Sequence, residues 1–226
     1  MDQPSYHFRG LLDIQILNQL GCSALVLGNH EFDYGARWLD RILLEADYPI
    51  LSANMMRREM PAVSELNGTL FSEAYTLIDL DSVRIAVLGL TTKQYMQSTQ
   101  VLVTDPVTAA AAYIPVLQEQ ADIIIVLSHL GYKNDIKLAQ AVKGIDLIIG
   151  GHSHDRLAVP TIIGNTLIVQ AGAYGQWLGR LDFFWDQGKI TDFDYALLPV
   201  TDKILPDKNL EQFLQYQLYP GVLTGG

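Results

Sequence analysis

The chain has 226 residues, 49% hydrophobic and 18% charged. That is enough apolar material for a sizeable core and excludes a mainly disordered chain; at about 150 residues per domain it is one large domain, or one and a fragment. Lys plus Arg number 15 against 25 Asp plus Glu, a formal charge of −10, which argues against binding nucleic acid or an anionic membrane by bulk charge. The same field would repel a phosphate substrate unless cations held in the site reversed it.

The single cysteine, Cys22, excludes an intramolecular disulfide and a cysteine-based zinc cluster, and is expected to be a buried thiol. No apolar run reaches the roughly 18 residues of a membrane span. Met1–Gly10 is polar and holds no signal-peptide core. No internal repeat or low-complexity tract is present.

In chain order, Leu11–Leu20 has helical spacing and stops at Gly21. Ala24–Leu27 is a short buried strand that runs into a polar loop, Gly28–Gly35. Ala36–Ala46 is a helix, and Pro49–Ala53 a strand. Asn67-Gly68-Thr69 reads as a hairpin turn rather than a glycosylation site. Phe71–Leu80 and Arg84–Leu90 are strands. Asp105-Pro106 opens a helix that runs to about Gln120, with a capping carboxylate followed by proline at the first helical position; Ala109–Ala112 is its packing surface. Asp122–Leu127 is a strand buried on both faces, Asn134–Val142 a helix, and Ile145–Ile149 another buried strand. The rhythm then changes. Thr166–Ala171, Leu178–Trp185 and Lys189–Val200 are strands without helices between them, the last two joined by a turn at Asp186-Gln187-Gly188. Leu181, Phe183 and Trp185 alternate to one face. Asp207–Leu218 is a final helix. Alternating strands and helices followed by a meander argue for a layered α/β domain with a mixed sheet or two stacked sheets.

Four of the five histidines, His30, His129, His152 and His154, fall just past expected buried strands. That is where open α/β sheets gather their sites. Imidazole nitrogen is a good ligand for zinc, iron, manganese and related ions. One histidine at a strand end is more often a hydrogen-bonded structural residue. The joint pattern of Asn29-His30, His129 and Gly150-Gly151-His152-Ser153-His154 points instead to a metal site.

These residues resemble the calcineurin-like metallophosphoesterases, and within them the 5′-nucleotidase branch. The resemblance lies in residues 27–35 (Leu-Gly-Asn-His-Glu-Phe-Asp-Tyr-Gly), 127–131 (Leu-Ser-His-Leu-Gly), 150–154 (Gly-Gly-His-Ser-His) and 170–181 (Gln-Ala-Gly-Ala-Tyr-Gly-Gln-Trp-Leu-Gly-Arg-Leu), and extends over nearly the whole chain. It implies an α/β/β/α sandwich of two mixed sheets and two divalent ions (Mn, Zn, Fe, Mg or Ca). It assigns Asn29, His129 and His152 to one metal and His154 to the other. It makes His30 the catalytic histidine beside a scissile phosphate, oriented by Asp33. Two such ions, about 3.5–4 Å apart, could polarise the phosphate and activate a water.

The chain departs from that pattern. The family's Asp-x-His and Gly-Asp motifs, which supply one metal's ligands and the bridging carboxylate, have no match before Gly28. The expectation is therefore an N-terminally incomplete catalytic domain over 1–205, with 206–226 a terminal helix and linker remnant. The C-terminal nucleotide-binding domain of the branch is not expected within the chain. One metal should bind better than two, with weak or no turnover. The expected partner is a small phosphoester, nucleotides among them, with no nucleic acid and no membrane; family resemblance points to the periplasm or secretion. Two alternatives stay open: a non-catalytic metal-binding or interaction module on the same fold, and a sulfur-ester hydrolase of the same branch.

Overall fold

A computed structural model describes residues 8–57, 70–94 and 101–218. Its centre is a six-stranded mixed sheet ordered β4-β5-β7-β8-β10-β9. The strands are β4 (Tyr75–Leu80), β5 (Val83–Thr91), β7 (Ile123–His129), β8 (Leu147–Gly150), β9 (Thr161–Ile163) and β10 (Thr166–Val169). The four central strands are parallel; β4 and β9 close the edges antiparallel. The parallel connections run through α3 (Pro106–Gln118) and α4 (Tyr132–Ala141), as βαβ units require.

Both helices cover one face of the sheet, where Leu88, Ile114, Leu117, Leu138 and Ile148 are buried to 1% exposure or less. Each such side chain contributes about 1.5–3 kcal/mol through loss of apolar surface from water. The other face is covered by strands. β1 (Leu25–Val26) and β2 (Ile50–Leu51) form a parallel pair, with β1 packed on β5 and β7. β11 (Trp177–Asp186) and β12 (Lys189–Pro199) form a hairpin whose Leu181, Phe183, Ile190 and Phe193 meet Leu147, Leu167 and Val169. Outside β1–β2 lie α1 (Leu11–Gln19) and α2 (Ala36–Glu45), whose Ile14, Leu39 and Ile42 close a second core. The order is helix, sheet, strand pairs, helix. Beside the central sheet the described residues hold three strand pairs: β1–β2 parallel, β11–β12 antiparallel, and β3 (Met55–Arg57) antiparallel with β6 (Val101–Val103).

Most expected elements stand within a few residues of their place. The Asp105 side chain caps α3 by accepting from Thr108 N at 2.7 Å. Gln187 and Gly188, both at positive φ (49° and 78°), make the β11–β12 turn. Other expectations are corrected. The regular strand after residue 70 begins at Tyr75, because Leu70 and Phe71 bond back to Met56 and Met55. Helix α4 starts at Tyr132, not Asn134. Ile149, expected to be buried, is 41% exposed. Of Ala109–Ala112 only Ala110 is buried. Cys22 is half-buried, its Sγ donating to Ala24 O. The short strands β3 (Met55–Arg57), β6 (Val101–Val103) and β9 were not expected. The turn expected at Asn67-Gly68-Thr69 lies outside the described residues. Among the described residues no helix is long and apolar enough to cross a membrane. Helix α5 (Lys208–Leu218) has no buried residue.

Candidate active site

The histidine loops gather at the carboxyl ends of β1, β7 and β8. A buried polar clamp fixes the first of these ends. Asn54, fully buried, donates from Nδ2 to Thr91 O at 2.7 Å and accepts from Thr91 N at 2.8 Å. The Thr91 hydroxyl in turn donates to Leu27 O. The end of β5 thereby holds the residue before Gly28. Beyond it the chain turns through a single 3-10 turn, His30–Phe32. Phe32 is buried edge-on against Phe71, with ring centroids 5.4 Å apart, which leaves His30 and Asp33 facing outward. Glu31, whose role the sequence left unassigned, accepts from Gly28 N at 2.7 Å and ties the turn. Burial pushes its carboxyl up, against the opposing pull of that hydrogen bond.

Three donor atoms converge here. His129 Nε2 lies 3.0 Å from Asn29 Oδ1. His152 Nδ1 lies 3.1 Å from the same oxygen and 3.2 Å from His129 Nε2. The His129 ring rests over Gly28, where a Cβ would stand 2.8 Å from Nε2. Any side chain at position 28 would displace this ring. Burial first, then the neighbouring imidazoles of His152, His30 and His154, pull the His129 ring down to about 4. His152 is shifted the same way, by burial and then by His154 and His30. Both shifts favour the neutral imidazole, the form that can bind a cation, and the two ring nitrogens and the amide oxygen face one another.

A divalent cation fits this set. Donors about 2.0–2.2 Å from one ion stand about 2.8–3.6 Å apart, from octahedral to tetrahedral geometry, and the three observed separations are 3.0, 3.1 and 3.2 Å. Among the described residues no group of three His, Cys, Asp or Glu side chains reaches chelating spacing; the third donor of this set is the Asn29 amide oxygen. Gln94, which sequence reasoning missed, has Oε1 3.4 Å from His152 Nε2. With a cation on Nδ1, the ring proton would stand on Nε2, where the Gln94 oxygen can accept it. The available signal was the polar run Thr91-Thr92-Lys93-Gln94 at the end of a buried strand.

The remaining two histidines border the same cleft, which has a volume of about 380 Å³ and is lined by Asn29, His30, Gln94, His129, His152 and His154 among others. His30 Nδ1 and Asp33 Oδ2 are 2.8 Å apart, both side chains being more than half exposed. A carboxylate accepts, so Nδ1 carries the proton and Nε2 is left for chemistry. His154 packs its ring edge on Tyr174, with centroids 5.3 Å apart. His152 and His154 both hold positive φ, 69° and 61°, a conformation that costs a non-glycine residue about 1–3 kcal/mol and clusters at functional sites.

The fold and this constellation match one class of protein. The calcineurin-like phosphoesterase family model matches residues 6–156, and the chain belongs to that family. Membership implies divalent metal ions. The chain is 32% identical over 228 residues to the trifunctional nucleotide phosphoesterase protein YfkN of Bacillus subtilis, covering 85% of this chain and 16% of that one. It superposes on a 5′-nucleotidase precursor from Thermus thermophilus with a TM-score of 0.84 and 28% identity, covering 96% of this chain and 46% of the other. It superposes on the sulfate thiohydrolase SoxB of Thermus thermophilus with a TM-score of 0.85 and 26% identity, covering 96% and 40%. The chain spans less than half the length of each of these relatives.

Proposed function

We propose that this chain is a metal-dependent phosphoester hydrolase domain of the 5′-nucleotidase type. The convergence of Asn29 Oδ1, His129 Nε2 and His152 Nδ1 within 3.2 Å of one another carries the reading. These three residues would hold one divalent cation, and His154, which lines the same cleft, would be a donor to a second. Such ions polarise a phosphoryl oxygen and make bound water acidic enough to attack.

The protein's own groups do the rest. His30, its Nδ1 proton bound to Asp33, presents Nε2 to the cleft. There it can stabilise charge on the phosphoryl oxygens, or protonate the leaving oxygen when Nε2 also bears a proton. Asp33 fixes the ring. Once a cation occupied His152 Nδ1, Gln94 Oε1 would accept the proton left on Nε2. The phosphate and nucleotide esters named for the relatives support phosphomonoesters as substrates, nucleotides among them. The likeness to a sulfate thiohydrolase supports a sulfur ester as the second reading.

Calorimetric titration with MnCl2, together with hydrolysis of 4-nitrophenyl phosphate, AMP and an aryl sulfate, tests the proposal. Wild type should bind the ion and cleave a phosphate ester, slowly if the ion held by Asn29, His129 and His152 acts alone. His129→Ala should bind Mn²⁺ at least tenfold more weakly. His30→Ala should keep Mn²⁺ affinity while kcat falls by about 10²–10⁴. Metal binding without cleavage of any ester would leave a non-catalytic metal module and overturn the hydrolase assignment. Cleavage of the sulfate alone would favour the second reading.

A further inference from the structure

Beneath the donor atoms lies a carboxylate that no part of the chemistry above uses. Asp135, in the first turn of α4, is fully buried. Its Oδ1 accepts from the hydroxyl of Ser128, itself 1% exposed. The same hydroxyl accepts from Leu130 N at 3.2 Å. The second carboxyl oxygen, Oδ2, has no hydrogen-bond partner among the described residues. It lies against Gly150: a Cβ built there would stand 2.6 Å from it.

Ser128 and Gly150 are partners in the last rung of the β7–β8 ladder. Each leads directly into a metal donor. His129 follows Ser128, and His152 comes two residues after Gly150. Asp135 therefore grips one side of the rung and fills the space above the other. Gln170 supports the same loop. With its amide oriented so that Oε1 accepts, it takes the N–H groups of Asp155 at 3.1 Å and His154 at 3.3 Å, and its amide also lies against the Gly150 Cβ direction.

A buried carboxyl with an unpartnered oxygen is costly, and an apolar residue of similar volume would stabilise the fold more. Burial pushes this carboxyl up to about 7, with Asp155 adding to the shift and the Ser128 bond opposing it. A helix cap does not explain the residue, since its side-chain partner is a strand hydroxyl rather than the helix's own N–H groups. We propose that Asp135 is a positioning residue for metal capture, which by holding Ser128 across from Gly150 sets the spacing of His129 Nε2 and His152 Nδ1. The inference rests on the metal-site reading above. It adds a residue outside all four motifs that carry the family resemblance.

The test titrates the full chain with Mn²⁺ by calorimetry and with Co²⁺ by visible absorption, alongside far-ultraviolet circular dichroism. Asp135→Ala should stay folded, bind Mn²⁺ about 10- to 100-fold more weakly and shift the Co²⁺ band. Asp135→Asn keeps an acceptor for Ser128 and should restore most of the affinity. Ser128→Ala, which removes a single hydroxyl, should weaken binding in the same direction and decides the matter if Asp135→Ala does not fold. Wild-type affinity in Ser128→Ala, or in a folded Asp135→Ala, would overturn the inference and leave the metal site standing. Equal weakening in Asp135→Asn and Asp135→Ala would mark packing damage and also overturn it. Absence of ion binding by the wild-type chain would overturn the metal reading itself, and this inference with it.

Discussion

Protons and metal ions compete for the same nitrogens, and the buried state of His129 sets the terms. An imidazole at its ordinary value of 6.5 passes from mostly neutral at pH 7.5 to mostly protonated at pH 5.5. Each such ligand then weakens an ion about tenfold, or two of them about a hundredfold. In this protein burial and three neighbouring rings bring His129 down to about 4. Over the same interval its neutral fraction falls by only a few per cent, so it costs the ion almost nothing. His152 is shifted in the same direction, and Asn29 does not titrate. The metal-free chain should therefore bind Mn²⁺ less than tenfold more weakly at pH 5.5 than at pH 7.5. Calorimetry at the two pH values, in buffers that do not bind Mn²⁺, reads this directly. A fall of tenfold or more would mean that the rings are not desolvated as described, and would refute the argument.

Three further outcomes follow from other parts of the molecule. Gly89→Ala would set a Cβ 2.6 Å from the backbone carbon of Leu51, where β5 crosses β2, and should cost about 1–3 kcal/mol in urea denaturation; an unchanged midpoint would show that the two layers are not in contact there. His154→Gly removes a left-handed backbone penalty of about 1–2 kcal/mol and adds about 0.4–1 kcal/mol of unfolded-chain entropy. The metal-free variant should melt slightly higher than wild type, whereas His154→Ala, which keeps the strain, should not. Asp135 has a folded value of about 7 against an ordinary 3.8. Its contribution to stability is complete below pH 4 and is lost as pH rises through 7. Across that range the stability of the metal-free wild type relative to Asp135→Asn should decline by up to about 4 kcal/mol, and a flat difference would show that this carboxyl is not desolvated.

Where sequence and structure agree, local chemistry decided the element. Asp105-Pro106 sets the start of α3 because its carboxylate and ring act within one turn. Gln187-Gly188 sets the last hairpin because both residues enter the left-handed region. The convergence of the three histidine motifs was legible because each follows an apolar strand, and strand ends converge whatever the side chains between them. The His30–Asp33 contact needed one more fact, the 3-10 turn that brings residues three apart side by side. The missed features are those settled across the fold. Helix α4 begins early because Ser153 Oγ accepts from Tyr132 N at 2.9 Å. β3 and β6 are three-residue strands that pair across more than 40 residues of chain. Ile149 reads as core but is 41% exposed near the end of β8. Gln94 and Asp135 belong to no motif, and only their neighbours in space reveal them.

Asn29 stands 100 residues from His129 and 123 from His152 along the chain. No fragment of the polypeptide brings the three within reach, so an unfolded or half-folded chain has little more hold on the ion than isolated imidazoles in water. Long loops must close before the cage exists. In a refolding experiment the ion is then a witness rather than a template: its capture should trail helix formation and report the moment at which the β7–β8 seam and the first strand pair come into register.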